Sequence, residues 1–162
     1  MSASERWGTG VELPARSRSI TLESLRSYAA ASGDHNPIHT DPAFAATTPF
    51  ERPIAHGMLL LAYVMEMLTT TFGETWITSG QLKVRFRKPA YVGSTVTAWG
   101  TIKKVDSETG SLQITVGCRD EDGNDLVTGS AELKAVDLNA ATRVRSGAYP
   151  ATRGRERASR SA

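Results

Sequence analysis

The 162-residue chain has a single cysteine, Cys118. An intrachain disulfide is therefore excluded, and so is a zinc cluster built on cysteines within one chain. Long apolar runs are also missing. The longest, Met58 to Leu68, has 11 residues and contains Glu66, whereas a helix that crosses a membrane needs about 20. Met1 to Gly10 has no apolar centre, so we expect no secretory leader, no membrane insertion and a cytoplasmic location. No block of about 20–50 residues repeats. Charge of one sign is scarce: 19 basic against 17 acidic side chains leave +2, which taken whole suggests no strongly charged partner. What remains, 40% hydrophobic and 22% charged residues, is the composition of one globular domain.

The near-neutral total hides an asymmetry. Residues 138–162 carry six arginines and one acid, Glu156, a net +5, which leaves −3 for residues 1–137. The stretch has no apolar periodicity, so we expect a disordered, arginine-rich appendage over 138–162 beside a folded domain over 1–137. Tyr149 is its only aromatic residue, and bases need aromatic platforms to stack on, so no nucleic-acid partner is expected.

Three blocks follow from the patterning. Val11 to Ile20 suits a first strand. Thr21 to Phe72 reads as mostly helical: Thr21 can cap a helix over Leu22 to Ala31 that Gly33 ends, and Asp41-Pro42 can open a short turn over Ala43 to Thr47. Met58 to Leu68 is apolar nearly all round, as a helix buried on several sides would be. Trp76 to Val136 reads as mostly strand. Leu82, Val84 and Phe86 alternate with Lys83, Arg85 and Arg87, and a strand over Thr95 to Val105 follows. Leu112, Ile114, Val116 and Cys118 share one face of the next, and Asp122-Gly123 turns into a last strand over Leu126 to Val136. The expected architecture is α+β: a curved antiparallel sheet wrapped around one long buried helix.

All three histidines fall between Ala31 and Met58, where Asp34, His35, Asn36, His39 and Asp41 crowd into a segment stiffened by Pro37 and Pro42. An Asp and a His five residues apart can converge on one water and move its proton if the loop curls. A metal site on His35 and His39 would need a helix through both. Pro37 argues against that helix, so no metal is expected. The plainer reading is that these are ordinary turn residues.

The string SGDHNPIHTDPAFAATTPFERPIAHGMLLL, with the later RFRKPAYVG, resembles the MaoC-like (R)-specific enoyl-CoA hydratases, the hydratase 2 group. Their pattern runs close to S-G-D-x-N-P-x-H-x-D, a short helix, H-G-M before an apolar helix, and F-x-x-P-x-x-x-G. The resemblance covers roughly residues 10–137. It implies a hot-dog fold and the reversible hydration of trans-2-enoyl thioesters to (R)-3-hydroxyacyl thioesters. It makes Asp34 and His39 the catalytic pair, with the choice of acid and base open, and gives Gly57 the role of offering its N–H to the thioester oxygen. Asn36, His56, Met58 and Met65 become candidate substrate-binding residues, with Asn36 orienting the loop and His56 fixing it. The substrate is an acyl-CoA or acyl-carrier thioester whose thiol arm belongs to it, so no separate cofactor is implied. A homodimer, or a heterodimer with another hot-dog subunit, is expected. The alternative is an auxiliary, non-catalytic hot-dog subunit that binds acyl thioesters and stabilises a partner; a thioesterase is a further rival.

Other residues have two readings each. His35 occupies the variable slot and is expected at the surface. Asp41 fits a helix N-cap. Lys83, Arg85, Arg87 and Lys88 either meet CoA or carrier phosphates or form a solvated strand face. Tyr63, Met65 and Met67 either line an acyl pocket or pack in the core, and Cys118 is expected to be buried and inert. One departure stands out. Short-chain relatives carry a serine near the third turn of the buried helix, where this chain reads Ala62-Tyr63-Val64-Met65.

Overall fold

The computed structural model describes residues 7–106 and 108–134. Its elements run β1 (Arg16–Ser19), α1 (Leu22–Ser32), α2 (Pro37–Thr40), α3 (Pro42–Ala46), α4 (Gly57–Phe72), α5 (Glu74–Ser79), β2 (Gln81–Phe86), β3 (Thr95–Asp106), β4 (Ser111–Asp120) and β5 (Asp125–Leu133). The appendage expected over 138–162 lies outside the described residues, as does Val136.

The expected meander is present, with additions. β3, β4 and β5 pair in sequence order. β1 joins the β3 edge and β2 joins the β5 edge, giving five antiparallel strands in the order β1-β3-β4-β5-β2. Register shifts at Ile102/Lys104 and at Cys118/Arg119 are the irregularities that bend a sheet. Leu112, Ile114, Val116 and Cys118 are all buried on the inner face, as their alternation requires.

Helix α4 lies against that inner face through Leu59, Leu60, Val64, Met67, Leu68 and Phe72. Each such side chain contributes about 1.5–3 kcal/mol on burial. The half-exposed Arg18–Glu66 ion pair between β1 and α4 belongs to a class worth about 0–1 kcal/mol. Apolar packing, not the ion pair, holds the helix.

Several expectations need correction. The helix is not covered all round: Met58, Ala62 and Met65 form an exposed stripe, Met58 at 57% and Met65 at 39%. The sheet has one concave face, and one face can cover only one side of a helix. Trp76 to Ser79, read as the start of the strand block, is the helix α5, with Trp76 packed into the core. The first regular strand is shorter than Val11 to Ile20; upstream of Arg16 the chain still follows β3, with Glu12 bridging Thr101, the Leu13 N–H donating to the Gly100 carbonyl and the Ile102 N–H donating to the Val11 carbonyl. Pro37 does not keep His39 out of a helix but begins one, since proline is favoured at the first helical position. His35 stays outside it, so the two histidines still share no helix face.

Capping at α1 follows the sequence closely. The Thr21 hydroxyl accepts from the Ser24 N–H, and the Ser24 hydroxyl accepts from the Thr21 N–H. Gly33 ends the helix at φ 79°, a conformation costly for residues with a Cβ.

Cys118 is fully buried, and burial pushes its thiol up to about 12. Thiol titration with an aromatic disulfide at pH 8 should therefore find no reactive group in the folded chain and one per chain after denaturation. Fast labelling of the native protein would contradict this burial.

Candidate active site

Asp34, His39 and His56 converge. One ligating atom from each lies within 4.8 Å of the other two, although 22 positions separate Asp34 from His56. Three local structures bring them together. Gly33 turns the chain out of α1 just before Asp34. Asn36 caps α2, its Oδ1 accepting from the Ile38 N–H at 3.1 Å, while its own N–H donates to Asp34 Oδ1 at 3.3 Å. His39 thus stands in a short, proline-led helix. His56 is the residue before α4 and is 2% exposed.

Hydrogen bonds to main-chain carbonyls settle where the imidazole protons sit. His39 Nδ1 lies 2.8 Å from the Ile54 carbonyl oxygen. A carbonyl only accepts, so Nδ1 carries a proton, and in the neutral ring Nε2 is the acceptor. His56 Nε2 lies 3.1 Å from the Asp34 carbonyl oxygen and is protonated for the same reason. The two rings stack, centroids 3.8 Å apart and planes 27° from parallel. Burial pushes the His56 imidazole below its ordinary range; the bond to the Asp34 carbonyl opposes this and the neighbouring His39 adds to it. His56 is therefore neutral at pH 7. The trio has the ligand types of a metal site.

Beside His39 opens a cleft of ≈ 290 Å³, with Phe50, Ile54, Leu60 and Phe86 as apolar walls and Gly57, Arg87 and Lys88 at its side. Gly57 begins α4, where the first N–H groups have no helical acceptor; Leu59 and Leu60 are the first to reach back, both to the His56 carbonyl. A donor and the positive end of a helix dipole thus sit beside His39. A Cβ at Gly57 would stand 3.2 Å from the Phe86 ring, so glycine keeps this approach open. A second hollow of ≈ 250 Å³, beyond Pro89 and Ala90 and flanked by Arg52 and Asp120, holds no member of the trio.

The remaining sequence candidates separate. His35 is exposed and outside the trio. Asp41 caps α3, its Oδ1 accepting from the Ala43 and Phe44 N–H groups. Met58 and Met65 are exposed and do not line the cleft within one chain. Tyr63 packs partly buried against the core and Met67 lies within it. Arg87 and Lys88 border the cleft whereas Lys83 and Arg85 do not. Ile54 was not foreseen: its contribution is a main-chain carbonyl, which no side-chain pattern reports. Phe50 and Phe86 were not foreseen as cleft walls, and only the alternation of β2 placed Phe86 on a shared face with Leu82 and Val84.

Known proteins resemble this chain in sequence and in fold. The MaoC-like domain family matches residues 6–121. The chain is similar to the (R)-specific enoyl-CoA hydratase of Aeromonas caviae, 38% identical over 119 residues, covering 73% of this chain and 88% of that protein. It is also similar to 3-hydroxyacyl-thioester dehydratase Z of Mycobacterium tuberculosis, 40% identical over 122 residues, covering 72% and 78%. The solved (R)-hydratase from A. caviae involved in PHA biosynthesis superposes with a TM-score of 0.68 at 32% identity, over 78% of this chain and 96% of that one. A chain of the ChsH1-ChsH2 complex from M. tuberculosis shares the fold at 24% identity, with a TM-score of 0.67 over 79% and 98%.

Because the folded state holds His56 neutral while the unfolded chain takes up a proton near pH 6.5, the unfolded state binds more protons below that pH. Stability then rises with pH up to about 6.5 and is lost as pH falls below it. Urea titrations from pH 5 to 7.5 should show this slope, and His56→Gln should flatten it. An unchanged slope in the variant would remove His56 as its source.

Proposed function

The chain belongs to the MaoC-like dehydratase family, and we propose that it is a hydro-lyase that adds water reversibly to trans-2-enoyl thioesters, giving (R)-3-hydroxyacyl thioesters. The observation that carries this reading is His39 itself, its Nδ1 held against the Ile54 carbonyl and one of its ring nitrogens within 4.8 Å of an Asp34 carboxylate oxygen. A water held between the two can lose a proton to the pair as its oxygen attacks C3. The pair returns a proton to C2, so one water is added across the double bond and nothing else is consumed. Negative charge passes through the thioester oxygen, which the Gly57 N–H and the start of α4 are placed to stabilise. Asn36 holds Asp34 in place, and Arg87 and Lys88 suit the phosphates of a CoA or carrier arm.

The exposed stripe of Met58, Ala62 and Met65 on α4 and the free edge of the sheet suit a second hot-dog chain. We take the partner to be a second copy. In that setting Met58 and Met65 meet the neighbouring chain or the substrate it helps enclose.

Hydration of crotonyl-CoA, followed by loss of enoyl absorbance, is the direct test. Asp34→Asn and His39→Gln should each lower kcat/KM by roughly 10²–10⁴-fold, with no free thiol released. Gly57→Ala should cost on the order of 10²-fold by displacing Phe86 into the approach. Wild-type rates in the Asp34 and His39 variants would end the hydratase reading. Light scattering should give twice the 17.4 kDa chain mass, and Met65→Glu should return the monomer. A wild-type monomer, or association only with a different hot-dog chain, would refute the homodimer.

A further inference from the structure

The catalytic pair leaves His56 unexplained. Among the described residues it is the buried polar side chain, 2% exposed, and burying a polar ring is costly unless its position is needed. Three groups face it: Tyr28 of α1, its ring 4.9 Å away; His39 of α2, stacked at 3.8 Å; and the Asp34 carbonyl, which accepts from its Nε2–H. Its Nδ1 is buried without a partner. The ring therefore touches both members of the catalytic pair, one through the main chain and one through its face.

We propose that His56 is a positioning residue: a neutral imidazole, locked in the tautomer opposite to that of His39, which fixes the Asp34 main chain and the plane of the His39 ring as one unit. Asp34 sits in the open segment between α1 and α2, and its side chain is held only from within that loop, by Asn36. The hydrogen bond from His56 ties the same loop to the start of α4, where Gly57 lies. His39 has one hydrogen bond to Ile54, which sets its proton but leaves the ring free to swing about that bond; the stacked face removes the swing. A second proton on the stack would place two like charges a ring's thickness apart in a dry setting. The kinetic part of this inference rests on the hydratase reading, whereas the tautomers do not.

The test has two arms. Long-range ¹H–¹⁵N spectra of the histidine-labelled full chain should show His39 as the Nδ1–H form and His56 as the Nε2–H form at pH 7. A shared tautomer, or a charged His56 at pH 7, would overturn the proposal whether or not the protein hydrates anything. In the kinetic arm, His56→Phe keeps the ring face and loses the donor, and kcat should fall on the order of 10²-fold with KM little changed. His56→Gln keeps a donor but loses the ring face, and should recover part of that loss, with the acid limb of the pH profile unmoved. Equal loss in both variants, or a limb that disappears in the Gln variant, would show that His56 does something other than position the pair. If wild type hydrates no enoyl-CoA of any chain length, the hydratase reading fails, and the spectra alone decide the tautomers.

Discussion

Three residues of extended backbone, Pro53 to Ala55, hold the site together. The Ile54 carbonyl accepts from His39, and the Ile54 N–H reaches back to the Ile38 carbonyl at 3.4 Å. On the other side the Ala55 N–H donates to the Ala90 carbonyl at 2.7 Å, and the Val92 N–H to the Pro53 carbonyl at 3.1 Å. Each bond is worth only about 0.5–1.5 kcal/mol net, yet a buried one left unmade costs about 1–3 kcal/mol. The stretch therefore has one low-energy place, between α2 and the segment that leads into β3. His39 hangs from it, and α4 begins two residues after it. His39, the start of α4 and the sheet share one mechanical support.

That support uses neutral partners. A carboxylate behind an imidazole fixes its tautomer and also stabilises the imidazolium that forms. A main-chain carbonyl fixes the tautomer and adds less attraction for the positive charge. His39 is thus oriented without a charged partner behind its ring, and the stacked His56 supports its other side.

Much of this is legible in the residues, and the limits have physical causes. Thr21, Gly33, Asn36-Pro37 and Asp41-Pro42 are local devices whose effects reach only a turn or two, so the sequence announces them. The alternation in β4 and the apolar run of α4 reveal the buried faces equally well. The side of α4 left open is not legible, because an apolar helix looks the same whether the sheet or a second chain covers it. Trp76 to Ser79 was misread because a β-rich pair, Trp76-Ile77, sits where tertiary packing of the indole favours one more helical turn. Ile54 is invisible because its function lies in a carbonyl that every residue has. The catalytic assignment of Asp34, His39 and Gly57 drew on likeness to a family; spacing alone left turn residues as an equal choice.

The strand order β1-β3-β4-β5-β2 bears on how the molecule forms. β3, β4 and β5 are joined by tight turns and can zip from neighbour to neighbour. β1 cannot pair until β3 exists: Ser17 meets Thr97, 80 positions along the chain. Between the two edge strands, from Thr21 to Gly80, the helices contact one another, but α4 finds its main apolar partner only in β3 and β4 of the meander. Closing such long loops carries an entropic cost that local contacts have to outweigh first. The residues proposed to do the chemistry lie in the half of the chain made first, whereas the strands that α4 packs on lie in the half made second.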